Sequence, residues 1–267
     1  MTKLHLTFAV VVFALAACSG SNSEQHSEVP KAVNSDSTIV TPTASIEEGK
    51  ATFRNSFDPE NVMDWTINYA FYSCDECELL TYQKQVNRQI TAFFDENKAK
   101  DVTDKTFFDD LLKDFNKQQK EMNADSEYPM PFEMNAEVSI EEGEDRVQLA
   151  IQQYLFLAGA HGQDIVLFYQ FDKETGKRLK LSDFITSKTK LNKIAEKYFR
   201  KQNDIPMEGT LIDHGFDVEF SCNDNFFFKD GKLYFYFNQY EIACYAMGAF
   251  EFGIPLKDLG PLLTRKP

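Results

Sequence analysis

Hydrophobic and polar positions change period several times along this chain. Within 51–72, Trp65, Ile67, Tyr69 and Phe71 recur every second residue, which predicts a strand with one buried face. The period then lengthens. Leu79, Tyr82, Val86, Ile90, Phe93 and Phe94 predict an amphipathic helix over 78–97. Phe107, Phe108, Leu111, Leu112 and Phe115 predict a second over 104–123, with Thr103 or Asp104 placed to cap it. After Tyr128-Pro-Met-Pro131 the pattern is that of strands: 133–140, a turn at Glu141–Asp145, a long strand at 146–157, and another at 165–171. Lys173–Lys177 reads as a turn leading into 178–181. Ser182 is expected to cap the next helical stretch. Leu191, Ile194, Ala195, Tyr198 and Phe199 give a third amphipathic helix over 187–202. Strands at 225–228 and 233–237 flank the hairpin signal Lys229-Asp-Gly-Lys232, and a last strand covers 249–255. This order predicts an α+β fold with a mainly antiparallel sheet and three amphipathic helices.

The first 44 residues follow neither period. Lys3 precedes an apolar run, Phe8–Ala17, too short to cross a bilayer as a helix, with the layout of a secretory signal. The run closes in Leu15-Ala-Ala-Cys18, which resembles the lipobox of bacterial lipoproteins. That resemblance implies a signal peptide at 1–17, cleavage before Cys18, and acylation of Cys18. Two or three acyl chains, each worth roughly 0.8 kcal/mol per buried methylene, hold such a protein firmly in a membrane. Ser19 at the next position, by analogy with enterobacterial sorting, points to the outer membrane rather than the inner. Residues 18–44, rich in Ser, Asn, Thr and Glu, read as a lipid-bearing cysteine followed by a disordered tether.

Charge narrows the partners. The 42 Asp and Glu against 28 Lys and Arg give a formal net charge of −14. A chain this acidic does not bind nucleic acid through phosphates, and its field attracts cationic partners in a salt-dependent way. Twenty-five phenylalanines and eleven tyrosines promise a well-filled, strand-rich core.

Beyond Cys18, four cysteines remain: Cys74, Cys77, Cys222 and Cys244. An even number in an exported chain suggests disulfides, either Cys74–Cys77 with Cys222–Cys244 or a cross-pairing. Cys74-Asp-Glu-Cys77 has redox-motif spacing, but its acidic neighbours oppose a reactive thiolate. The second pair is not a zinc knuckle. No metal or cofactor is expected.

Two constellations are candidates for function. His161 sits in Gly159-Ala-His-Gly162 between strands, where glycines permit positive φ or close backbone approach. It lacks the partners of a hydrolase or metal motif. Glu241 lies beside Tyr240 and Tyr245. A carboxylate next to two aromatics can read a sugar or peptide edge, or it can accept backbone N–H groups at a bulge. Asp172 and Asp183 read as turn and cap residues.

Gly159-Ala-His-Gly162, Phe171–Lys177, Leu179–Phe184, Tyr240–Gly248 and Ile254–Leu259, in that order, resemble the DUF3298 family. The region 45–132 resembles its usual N-terminal companion, DUF4163, leaving 133–267 as the DUF3298-like domain. Members of the family include the extracellular part of an anti-sigma factor that binds lysozyme and non-catalytic modules attached to peptidoglycan deacetylases. The resemblance therefore implies a non-enzymatic binding module whose partner is a lysozyme-like cationic protein or a peptidoglycan fragment. The family often has proline where this chain has Cys244, which is consistent with a local disulfide. The rival expectation is a cell-wall glycan hydrolase working through paired carboxylates.

Overall fold

The computed structural model describes residues 43–55, 63–95, 105–128, 130–157 and 159–265. Cys18, residues 1–17 and nearly all of the expected tether lie outside them, as do Thr103 and Asp104. Among the described residues no helix is long and apolar enough to cross a membrane.

The architecture is α+β, as the periodicities predict. Six strands form one sheet in sequence order: β1 (Ser45–Asn55), β2 (Met63–Ser73), β3 (Phe132–Glu142), β4 (Arg146–Leu157), β5 (Gln163–Asp172) and β6 (Arg178–Leu179). Every pairing is antiparallel except β2 with β3, which run parallel with Ile67 opposite Ala136. A parallel pair needs a long crossover. Helices α1 (Thr81–Phe94) and α2 (Thr106–Asn123) lie in that connection. The alternation of β2 buries Trp65, Ile67, Tyr69 and Phe71 beneath Val86 and Ile90 of α1 and Phe108, Leu112 and Phe115 of α2. Trp65 is fully buried, and its indole N–H donates to the Phe132 carbonyl at 2.8 Å, so burial leaves no unpaired donor.

A second, smaller sheet holds β7 (Phe226–Lys229), β8 (Lys232–Phe237) and β9 (Phe250–Pro255). One-turn helices α3 (Leu181–Phe184) and α5 (Leu256–Leu259) flank it, and α4 (Lys188–Gln202) packs across it. Its core is largely phenylalanine, with Leu191, Ala195 and Phe199 of α4 laid against Phe226, Phe228, Phe235, Phe237 and Phe252. The first sheet runs through residue 133 without a break, and the change from one core to the other falls at the turn of 173–177.

Three local expectations are revised. The 51–72 pattern is not one strand but parts of two, because β1 begins at Ser45 and pairs back on β2 from Ser45↔Ser73 to Asn55↔Met63. The third long helix is capped by Ser187, whose hydroxyl accepts from the Lys190 N–H at 3.4 Å, rather than by Ser182, which lies inside α3. Cysteine pairing is the third. Cys74 and Cys77 are bonded, but Cys222 and Cys244 are free thiols. Cys222 is packed in the second core and Cys244 is exposed at the surface, so the two side chains face different surroundings. Burial also pushes the Cys222 thiol up to about 12, which keeps it protonated and inert to disulfide exchange.

The two sheets are joined by side-chain amides. β6 has only two residues, so among the described residues most of the outer edge of β5 has no neighbouring strand. Unpaired edge groups need partners. Asn225 accepts from Phe168 N at 2.9 Å and donates to Val166 O at 2.8 Å. Asn238 accepts from Val166 N at 2.7 Å and donates to the same carbonyl at 3.1 Å. In effect, two asparagines at the margins of the second sheet, just before β7 and just after β8, do the work of a strand.

A second tie is ionic. The Asp172 carboxylate accepts from the Thr175 N–H and hydroxyl at 2.8 Å each and from Arg265 at 2.7 Å, while Arg265 also reaches Asp145. The Thr175 bonds first, then Arg265, lower the Asp172 carboxyl to about 2. An unfolded aspartate titrates at about 3.9. The folded value is the lower one, so this stabilisation is present above about pH 4 and is lost as pH falls from there towards 2. The side chain is only 14 % exposed, yet Arg265 is partly solvated, so its worth after screening is about 1 kcal/mol. Asp172→Asn is expected to lower stability at neutral pH by that amount and to flatten the acid limb. Urea midpoints between pH 2 and 7 measure both effects, and parallel curves for the two proteins would exclude this origin.

Candidate functional site

The turn between β4 and β5 and the long loop between β8 and β9 meet at one end of the molecule. The first presents His161 and the second presents Tyr240 and Tyr245, about eighty residues on. The His161 ring stacks on Tyr245 with centroids 3.7 Å apart and planes 18° from parallel, and Tyr240 tilts against both. His161 Nδ1 lies 3.1 Å from the Gly162 carbonyl, and Nε2 lies 3.1 Å from the Tyr240 hydroxyl. A carbonyl only accepts, so Nδ1 carries a proton, and in the neutral ring Nε2 accepts from Tyr240. The Tyr245 hydroxyl donates to the same Gly162 carbonyl at 3.0 Å. Both ring nitrogens are thus engaged.

Gly162 serves by lacking a side chain. A β-carbon there would come within 2.3 Å of the Tyr154 hydroxyl, because the Tyr154 ring lies over it. Of the two uses that glycine permits, close approach describes Gly162, and neither Gly159 nor Gly162 adopts a positive φ. At Gly159 a β-carbon would meet only the His161 carbonyl oxygen at 3.8 Å, so this residue contributes no evident constraint. The left-handed conformation falls instead on Tyr240, at φ 66°, and its side chain is 56 % exposed. A non-glycine residue held there costs roughly 1–2 kcal/mol, which the surrounding loop must offset.

Glu241 does not face this aromatic group as a free carboxylate. One oxygen accepts from Asn223 at 2.6 Å and the other from the Asn238 N–H at 2.9 Å, so it braces the loop that carries Tyr240. Of the two readings open for Glu241, the backbone-accepting one describes its contacts. Asp183 likewise accepts from the Lys180 N–H at 2.7 Å as a cap. Two residues not singled out by sequence pattern complete the edge of the site. Burial raises the Tyr154 phenol, with Glu133, Asp164 and Tyr245 adding to the shift, and burial alone raises the Asp164 carboxyl. Among the described residues, no three His, Cys, Asp or Glu side chains are grouped as metal ligands.

This geometry is that of a surface aromatic patch on an α+β scaffold, with acidic groups at its rim. Residues 182–257, from α3 to the start of α5, match the family described as "Protein of unknown function (DUF3298)". The match includes Tyr240–Gly248 and most of Ile254–Leu259, two of the motifs that carry the resemblance, and begins after Gly159–Gly162. The DUF4163-like reading of 45–132 is not confirmed. The fold is similar to two crystal structures of DUF3298 family proteins. One, from Bacteroides fragilis NCTC 9343, is 20% identical with a TM-score of 0.65. The other, from Pseudomonas aeruginosa PAO1, is 17% identical with a TM-score of 0.54. Each comparison covers 85% of this chain and 95% of the other. No curated protein matches the chain.

Proposed function

We propose that this chain is a lipid-anchored protein of the bacterial cell envelope, held at the outer membrane through Cys18, whose domain captures a cationic protein of the lysozyme type without acting as an enzyme. The observation that carries this reading is the convergence of His161, Tyr240 and Tyr245 into one surface group, with Tyr240 and His161 exposed and Tyr245 half-buried beneath the histidine ring. Tyrosines at the surface of a braced loop, here exposed Tyr240 and half-buried Tyr245, are a residue type enriched among those that dominate binding energy at protein interfaces. Their faces accept arginine and lysine side chains by cation–π contact. The carboxylates of Glu133 and Asp164 close to Tyr154, and the net charge of −14, favour a positively charged partner and speed its approach. The hydrolase alternative has less support, because Glu241 is engaged at both oxygens and His161 at both nitrogens.

Binding of a lysozyme to the unacylated mature chain tests the proposal. The expected result is micromolar or tighter binding that weakens steeply as salt rises beyond physiological strength. Tyr245→Ala is expected to cost about 2 kcal/mol of affinity, a loss of roughly thirtyfold. His161→Ala removes one surface hydrogen-bond pair, worth about 1 kcal/mol in stability, and should weaken binding beyond what its melting shift explains. Absence of lysozyme binding, or equal binding by both variants, overturns the reading. Retention of the chain on peptidoglycan instead would assign the patch to the cell wall.

A further inference from the structure

A groove of about 370 Å³ lies along the joint between the two sheets, with Leu167, Phe168, Tyr169, Arg178, Asp224 and Glu241 among its lining residues. Its charges are arranged unusually. The Arg178 guanidinium rests over the Tyr169 ring, 4.4 Å from the centroid. It makes no hydrogen bond or ion pair among the described residues, so its N–H fork is held in place yet unused. Asp224 spends one oxygen on the Leu181 N–H at 3.1 Å, and its other oxygen has no partner among the described residues. Glu241 keeps lone pairs beyond its two accepted bonds.

These groups exclude most ligand classes by charge and by hydrogen-bond inventory. A simple anion would pair with Arg178 but meet two carboxylates, and a simple cation would meet the guanidinium. A neutral saccharide would bring no charge to meet those of the groove, and the groove's Asn225 and Asn238 already spend both ends of their amides on Val166, Phe168 and the adjoining backbone. A ligand carrying both an ammonium and a carboxylate satisfies all three charged groups. A planar guanidinium stacked on an aromatic ring is suited to bidentate carboxylate recognition. The volume is at the small end of ligand sites, room for one or two amino-acid residues, and Leu167 and Phe168 offer apolar wall to their side chains.

We infer that this groove binds a zwitterionic amino-acid or dipeptide unit, its carboxylate on Arg178 and its ammonium on Asp224 and Glu241. The site adjoins the His161 patch through Glu241, which braces the Tyr240 loop, but the inference does not rest on capture of a cationic protein. Titration of the mature chain with alanyl-alanine, followed by NMR of the arginine Nε–H signals, tests it. The Arg178 signal, identified as the one missing in Arg178→Lys, is expected to shift saturably. N-acetyl-alanyl-alanine and alanyl-alanine amide, which each lack one charge, are expected to bind more weakly by about tenfold or more, the value of one charge-assisted contact. Arg178→Gln is expected to lose binding to the same degree as the amide, and Asp224→Asn, which keeps an acceptor for Leu181, to the same degree as the acetylated peptide. The blocked peptides make the comparison on the unsubstituted chain, so a poorly folding variant does not obscure it. No shift of the Arg178 signal, or equal binding of free and blocked dipeptides, overturns the inference, and a shift that persists for the acetylated peptide alone would assign the groove to simple carboxylates.

Discussion

Phe199→Ala should destabilise the protein by about 3–5 kcal/mol, the usual cost of deleting a fully buried phenylalanine ring. Phe199 has no exposed surface. Its ring lies within 5.3–6.0 Å of Phe216, Phe220, Phe237, Phe250 and Phe252, centroid to centroid, mostly in edge-to-face contact. Those neighbours come from the loop at 203–225 and from two strands, so they cannot collapse together to fill the gap. The expected loss is a large part of a typical domain's 5–15 kcal/mol. In a domain of this size it corresponds to a fall in melting temperature of about 10 °C. The amide bridges from Asn225 and Asn238 to β5 tie the second core to the first, so the variant is expected to melt in one transition. Met207→Ala, at a side chain 56 % exposed, is the matched control and should change little. A Phe199→Ala variant that melts with its parent would show that the second core is not built around this ring.

Phe199 also shows which parts of the fold could be read from sequence. The three long helices appear where one apolar stripe repeats over about two to four turns, and α1, α2 and α4 fall within a few residues of 78–97, 104–123 and 187–202. Periodicity averaged over that length is robust to single exceptions. β1 was legible only in part because it is an edge strand, with Ala51 and Asn55 its only buried residues, so its alternation is weak. The pairing of β2 with β3 in parallel has no local signal at all, since it depends on how α1 and α2 carry the chain back. The site divides the same way. His161, Gly162, Tyr240 and Tyr245 stand out because glycines and aromatics cluster in turns, and the fold brings them together. The partners that brace them do not stand out. Asn223, Asn225 and Asn238 read as ordinary loop asparagines until docking of β7 and β8 places them against β5 or Glu241. Arg178 reads only as the start of the segment after a turn until the Tyr169 ring is found beneath it. Even-numbered cysteines suggested a second disulfide, but parity says nothing about burial, and Cys222 is buried in the second core.

Gly176→Ala is expected to be a strongly damaging single-methyl addition, at about 3 kcal/mol. Two costs combine there. Gly176 adopts φ 69°, where an L-side chain costs roughly 1–2 kcal/mol. A β-carbon would also lie 2.8 Å from Thr81 Cγ2 and 3.2 Å from the backbone of Thr81 and Tyr82, at the start of α1. Overpacking of this kind costs about 1–3 kcal/mol because backbone cannot swing aside as a side chain can. The turn is held from its other end as well, by the Gly176 N–H donating to Asp172 O at 2.8 Å and by the Asp172 carboxylate on Thr175, so it cannot lift away without losing those bonds. Gly231 separates the two costs. It has nearly the same φ, 70°, but nothing lies within 4 Å of its would-be β-carbon. Gly231→Ala should therefore carry the conformational cost alone, about 1 kcal/mol. Urea unfolding of the two variants reads the difference directly, and about 2 kcal/mol between them assigns the excess to the contact of the 173–177 turn with α1. Equal losses at the two positions would mean that this turn does not press on the helix, and the packing described between the first core and the chain leading into the second would have to be revised.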